Sequence, residues 1–306
     1  MSPAFAAIAA ASGFVREATP FPAGVCDLIS VYAAGVSAGA LLQAATMAVP
    51  AQLRNLLQPS ARDDVLVAFR QACQRGDLRL ARWLASRFDL TPADARAFDS
   101  FALRLACVNG HLATAQWLAA HFDLTPADAR SVGNYALHKA CEGGHLAVAQ
   151  WLAARFGLTA ANAHADGKAA LRAACGNGHL ATAQWLAARF GLTPADARTG
   201  DNFALRWACE NGHLAMAQWL AAHFGLTPAD ARASSNAALQ LACLNGHLET
   251  AQWLAAHFGL TADDARADED FALRLTRANG HHATARWLAT HFGLTDDAAS
   301  EDAGGR

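Results

Sequence analysis

The residues that could do chemistry in this 306-residue chain are its histidines and cysteines. Thirteen histidines and seven cysteines would suffice for a metal centre, or for a thiol nucleophile with its general base. Either site needs side chains that converge on one point. Six of the cysteines instead recur every 34 residues, each three residues before a glycine: Cys73, Cys107, Cys141, Cys175, Cys209 and Cys243. A ladder of single cysteines does not converge, and equivalent sites in stacked repeats lie too far apart for disulfides. The spacing therefore predicts small buried thiols in a reducing compartment, with no metal and no cofactor.

The histidines follow the same period and favour structural roles. One set comes directly after the repeated glycine: His111, His145, His179, His213, His247 and His281. A second set lies near the end of a predicted helix, where positive charge is favourable: His121, His223, His257 and His291. No copy pairs a histidine with a cysteine or serine and an orienting acid in a constellation that is unique to it, and the sequence has no phosphate loop, HExxH or CxxC motif. We therefore expect a protein without catalytic activity.

The elements that position these residues are repeats of fixed length. The glycines Gly76, Gly110, Gly144, Gly178, Gly212, Gly246 and Gly280 are each 34 residues apart, and such a period predicts stacked supersecondary units. In one copy, Phe203 begins a short helix that ends at Asn211-Gly212. A second helix follows, and Thr227-Pro228-Ala229-Asp230 then reads as a capped helical turn.

The repeated text resembles the ankyrin repeat. The resemblance covers residues 65–298 and rests on the Ala-Leu-x-x-Ala-Cys first helix, the Asn-Gly-His-Leu turn and a second helix that ends at a glycine. It implies an all-α, ankyrin-type solenoid of about seven stacked helix-turn-helix repeats. The family's Thr-Pro-Leu-His is replaced by Phe-Ala-Leu-Arg at Phe101, Phe203 and Phe271. This departure leaves open whether a β-hairpin or a helical turn connects the repeats.

The predicted domains are a helical N-terminal segment at residues 1–60, the repeat array at 63–298 and a flexible tail at 299–306. Leucine pairs and Phe21-Pro22 within residues 21–57 resemble the F-box, which implies docking on the adaptor of a cullin-type ubiquitin ligase. The repeats also resemble those of large DNA viruses of amoebae, where the two modules recur together. A helical cap on the first repeat is the alternative. A membrane helix at Leu28–Leu53 is not expected, because polar residues interrupt this uncharged stretch.

The candidate binding residues are those that differ between copies. By the ankyrin resemblance, first helices and linker tips form a concave binding groove, and two first-helix positions and the tips vary most. We predict the following partner-binding residues: Trp207, Glu210, Leu241, Leu244, Lys139, Glu142, Leu105, Val108, Asp166, Lys168 and Asp201. Trp207 would be the anchor, because exposed tryptophans dominate interfaces. Burial of Trp207 against a neighbouring helix, or drift on an unconstrained surface, would also explain the pattern.

The sequence thus predicts a non-catalytic scaffold that binds another protein on its concave face. A monomer in the cytoplasm or nucleus is expected, in the host cytoplasm if the protein is viral. The first alternative is an F-box/ankyrin substrate adaptor that contacts a ubiquitin-ligase adaptor through residues 21–57, and the second is a membrane-tethered scaffold. With a formal net charge of −2 and no basic cluster, nucleic acid is not an expected partner.

Overall fold

The computed structural model describes residues 59–294, without the side chains of residues 59–64, 160–167 and 268–270. The F-box-like stretch at residues 21–57, the alternatives for that segment and the tail at 299–306 lie outside the described residues. Within the described chain, no helix is long and apolar enough to cross a membrane.

Helices alternate with short turns throughout the described chain, and none of its residues lies in a strand. The helices are α1 Pro59–Arg75, α2 Leu78–Arg87, α3 Pro92–Val108, α4 Leu112–His121, α5 Pro126–Ala129, α6 Ser131–Glu142, α7 Leu146–Arg155, α8 Ala160–Gly176, α9 Leu180–Phe190, α10 Pro194–Ala197, α11 Thr199–Glu210, α12 Leu214–Phe224, α13 Pro228–Ala231, α14 Ala233–Leu244, α15 Leu248–Phe258, α16 Ala262–Ala265, α17 Ala267–Ala278 and α18 His282–Phe292. The all-α prediction is confirmed. Among these residues, a helical turn rather than a β-hairpin connects successive repeats.

The chain divides after Ala136 into two compact units. In the first unit, α1 packs against α2 and α3, and α3 packs against α4. In the second unit, the first helices α8, α11, α14 and α17 pack each against the next, and the second helices α12, α15 and α18 do the same. Each helix pair thus buries its apolar side against the next pair, as stacked repeats require.

Small residues line the contacts of the first helices. Ala208 and Cys209 have no exposed surface, and their equivalents in the neighbouring copies are buried in the same way. Leu220 and Phe224 of the second helix fill the space behind them. Small and large buried side chains thus occupy different positions of the repeat, as a close-packed interior requires.

The turn between the two helices of a repeat is fixed by a glycine and a histidine from successive copies. Gly178 has a φ of +74°, a conformation that side chains disfavour. The imidazole of His213, one copy later, lies against it, so that a Cβ on Gly178 would be 2.7 Å from His213 Nδ1. His213 Nε2 also donates to the carbonyl of Gly176 at 3.1 Å. The turn histidines therefore join one repeat to the next.

A second joint between repeats lies in the linkers. The Thr227 amide and hydroxyl both donate to Asp230 Oδ2, which closes the predicted capping box. The other oxygen, Oδ1, accepts from Nε of Arg198 at 2.7 Å, and Nη2 of Arg198 donates to the carbonyl of Gly225. We call this arrangement the arginine clamp. It recurs between Arg232 and Asp264 in the second unit, and between Arg96 and Asp128 in the first.

Each clamp is followed by a left-handed turn. In α11, Gly200, Asp201 and Asn202 have φ values of 67°, 55° and 58°. Non-glycine residues in this conformation cost about 1–2 kcal/mol each. Part of that cost is offset by Arg206, whose Nη2 donates to the carbonyl of Gly200 at 2.9 Å. The same turn occurs in α3, α6 and α14.

Candidate functional site

Trp207 lies on the first helix α11 of the second unit and retains 37% of its surface exposed. Its ring rests on the preceding first helix, where a Cβ on Gly176 would lie 2.6 Å from Trp207 Cε3. On its own helix it packs against Phe203, with ring centroids 4.3 Å apart. Trp207 therefore packs against a neighbouring helix on one side and is exposed on the other. The interpretation as an exposed anchor and the interpretation as a buried residue each describe part of this environment.

Two arginines flank the ring of Phe203. The guanidinium carbon of Arg172, on helix α8, lies 5.3 Å from the ring centroid, and that of Arg206 lies 5.6 Å from it. These distances are within the range of cation–π attraction. Sequence reasoning missed this group, although the Phe-Ala-Leu-Arg text already placed an aromatic residue and an arginine three positions apart on one helix.

The apolar candidates Leu241 and Leu244 lie on the next first helix, α14, which packs against α11. Both are half-buried. Leu241 occupies the repeat position of Trp207, and Leu244 that of Glu210. The second unit thus brings Trp207, Leu241 and Leu244 onto adjacent helices. We call the surface formed by Arg172, Phe203, Arg206, Trp207 and Leu241 the first-helix face.

The charged candidates differ in how far they are already engaged. Lys139 Nζ lies 2.7 Å from Glu142 Oε2, and Nδ1 of His138 lies 4.0 Å from the same oxygen. Glu210 is half-buried, and its backbone carbonyl accepts from the side-chain amide of Asn245 at 2.9 Å. Lys139 and Glu142 thus form a local pair on α6, whereas Glu210 lies on the helix of Trp207.

The candidates in the linkers also differ in whether their charge already has a partner. Lys168 Nζ lies 3.3 Å from Asp196 Oδ1. In other linkers, the equivalent aspartate oxygen accepts from the arginine of a clamp. The ammonium of Lys168 therefore has a structural partner in a linker. Asp201 is exposed at the tip of a left-handed turn. The side chain of Asp166 is outside the described set.

In the first unit, Leu105 and Val108 are half-buried on α3. More exposed apolar residues lie at the left-handed turns: Phe98 retains 67% of its surface and Val132 retains 55%. The guanidinium of Arg70 lies 4.7 Å from the centroid of the Phe98 ring. Val132 and Phe98 were visible in the sequence only as variable linker tips.

The recurring cysteines are buried inside the repeats, and the turn histidine His213 contacts the backbone of the preceding copy. Burial raises the pKa of the Cys73 and Cys141 thiols to about 12, so both stay protonated and poorly nucleophilic. Burial also lowers the pKa of His213, although the hydrogen bond to Gly176 opposes the shift. Within the described part of the chain, no three metal-ligating side chains come together.

Comparison with protein families places the repeats. A family model for ankyrin repeats, described as three copies, matches residues 69–160, 105–196 and 173–265. Together these matches extend over more than half of the chain. No curated protein matches it.

Proposed function

Because the chain belongs to the ankyrin-repeat family, we propose that it is a non-catalytic module that binds a partner protein on the first-helix face around Trp207. Ankyrin repeats generally mediate protein–protein interactions. The observation that carries the proposal is the setting of Trp207, a large aromatic ring that is held in place on one side and open on the other. A pre-positioned aromatic side chain loses little conformational freedom on binding, which favours its use as an anchor.

The charged residues near this face would set specificity. Glu210 and Asp201 lie at the two ends of the helix that carries Trp207. Complementary charges on a partner would fix its orientation more than its affinity. The predicted partner contacts also include the pair of Lys139 and Glu142 in the second unit and, separately, the half-buried Leu105 and Val108 in the first.

Quantitative affinity capture tests the proposal with the full chain, its Trp207→Ala variant and a Gln218→Ala control. Gln218 is exposed on the second helix α12, so its substitution leaves the first-helix face unchanged. We expect the Trp207 variant to lose at least about ten-fold in capture of specific proteins, as removal of an interface anchor does. The Gln218 variant should capture them as the wild type does. Equal capture by all three proteins would reject Trp207 as the anchor.

The adaptor alternative rests on the F-box-like text at residues 21–57, which lies outside the described residues. Co-elution of the full chain with a cullin-ligase adaptor, abolished by Leu41→Asp, would support it. Co-elution that survives this substitution, or a failure to co-elute, would reject it. Sedimentation with anionic lipid vesicles would test the membrane-tethered alternative in the same preparation.

The proposal also covers the oligomeric state of the protein and its cellular compartment. Six free, buried thiols favour a reducing compartment, which is the cytoplasm or nucleus of a cell. A monomeric state is proposed as well, and light scattering during size-exclusion chromatography measures it directly.

A further inference from the structure

The first-helix face carries two cations that pair with no carboxylate in the part of the chain that the structure describes. Arg172 and Arg206 both approach the ring of Phe203, so two like charges share one aromatic side chain. Within the described residues, no carboxylate pairs with either guanidinium. Among the described residues, the Arg206 side chain makes one hydrogen bond, from Nη2 to the carbonyl of Gly200. Its Nε is buried and has no hydrogen-bond partner there. Among the described residues, the two guanidinium charges are therefore not paired with a carboxylate.

The arginines are also held in place. Arg206 is fixed by its hydrogen bond to Gly200, and stacking on Phe203 restricts both guanidinium planes. A planar guanidinium presents paired N–H donors that match the two oxygens of a carboxylate. Because the donors are pre-positioned, an incoming carboxylate orders fewer side chains on binding.

The surroundings of the two arginines combine acidic and apolar side chains. Asp201 and Glu210 lie at the two ends of α11 and lower the local positive potential in part. Trp207 and Leu241 add an apolar surface beside the cations. A ligand that satisfies both features carries acidic and large apolar side chains close together.

We propose that the first-helix face binds an acidic linear segment of a partner protein, with aspartate or glutamate side chains on Arg172 and Arg206 and an apolar side chain on Trp207. This inference rests on the proposed function and names the partner's chemistry. Affinity then depends on ionic strength, because part of the binding comes from exposed charges.

Peptide display tests the inference without a known partner. Random peptides of about twelve residues, displayed on phage, are selected against the full chain, and the enriched sequence is synthesised with a fluorescent label. Fluorescence anisotropy then measures its binding to the wild type, the Arg172→Gln/Arg206→Gln variant, Trp207→Ala and an Arg286→Gln control. Arg286 is an exposed arginine on the second helix α18, and circular dichroism confirms that each variant is folded.

We expect enriched peptides to combine aspartate or glutamate with a large apolar residue. The double glutamine variant should bind them at least about ten-fold more weakly, since it loses two charge-assisted hydrogen-bonding groups. The Arg286 variant should differ from wild type by less than about two-fold, and added salt should weaken wild-type binding.

Several outcomes overturn the inference. Neutral or basic peptides that require Trp207 but not the two arginines would reject an acidic partner and leave the proposed binding face standing. Peptides that need neither Trp207 nor the arginines, or the absence of any enriched peptide, would reject both. A peptide with phosphoserine in place of its acidic residue that binds more than about ten-fold tighter would identify a phosphorylated partner instead.

Discussion

The joints between repeats and the first-helix face use arginine in opposite ways. In the joints, Arg198 and Arg232 each reach a carboxylate 32 residues later and also bond a backbone carbonyl. On the face, Arg172 and Arg206 stack on Phe203 and meet no carboxylate among the described residues. The difference separates arginines that join successive repeats from arginines that pack on an aromatic ring without a carboxylate partner among the described residues. Substitution should therefore lower stability more at Arg198 or Arg232 than at Arg172.

The largest effect is expected at the turn between helices. Gly178→Ala places a methyl group in a left-handed conformation and against the ring of His213. Conformational strain and overpacking together should lower the free energy of unfolding by about 3 kcal/mol. Gly280→Ala is the matched control: its φ is similar, at +78°, but a Cβ there meets nothing within 4 Å. It should cost only about 1 kcal/mol. Equal urea midpoints for the two variants would show that the histidine does not hold the joint.

Removal of a clamp carboxylate should have the next largest effect. Asp264 accepts hydrogen bonds from Thr261 and Arg232, and its side chain is 11% exposed. Asp264→Ala should cost about 2 kcal/mol in urea unfolding, since it removes a helix cap and a charge-assisted pair. The adjacent Asp263 has a side chain that is 97% exposed, so Asp263→Ala should cost less than about 0.5 kcal/mol. If the clamp contributed nothing to stability, Asp264→Ala and Asp263→Ala would have the same urea midpoint.

Acid should weaken the same joints to a smaller extent. Burial would raise the pKa of Asp230, but hydrogen bonds from Arg198 and Thr227 outweigh it and lower the pKa from 3.8 to about 2. Because the folded pKa lies below the unfolded one, the clamp stabilises fully above about pH 4, and this stability is lost as pH falls towards 2. Asp230→Asn should therefore be less stable than wild type at pH 7, and the difference should shrink in acid. Thermal unfolding at pH 7 and pH 2.5 measures this change, and a constant difference would contradict it.

The smallest effect is expected for an arginine of the face. Arg172→Gln removes a cation that stacks on Phe203 and pairs with none of the described carboxylates, so it should change the free energy of unfolding by less than about 1 kcal/mol. Arg198→Gln, made in parallel, should cost more, because Asp230 then lacks its cation. Equal losses in urea titrations would remove the distinction between joint and face.

The joints were predictable from the sequence only within one repeat. The order Thr-Pro-Ala-Asp predicted the capping box, because both of its partners lie within three residues. The arginine that reaches Asp230 is 32 residues away, and its geometry depends on how successive repeats stack. Periodicity shows that both residues recur, but it does not show which copies meet.

The first-helix face was also predictable only in part, because some of its contacts join successive copies. Trp207 is the one tryptophan at a variable first-helix position, and 37% of its surface is exposed. Its seat on Gly176 and the two arginines at Phe203 depend on contacts between successive copies. Lys168 looked like a free linker charge, yet it compensates for a missing clamp arginine by pairing with Asp196. An unbroken 34-residue period therefore predicts the scaffold better than it predicts the surface.

The geometry of the arginine clamp also bears on how such a chain changes length. Each clamp joins the linker of one copy to the linker of the following copy, and the two halves recur at the same offset. Recombination that gains or loses whole 34-residue copies would thus regenerate matched halves at the new junction. A gain or loss of a number of residues that is not a multiple of 34 would leave the aspartate of one linker without the arginine of its neighbour. The chain can therefore gain whole repeats by duplication while keeping the same contacts between neighbouring linkers.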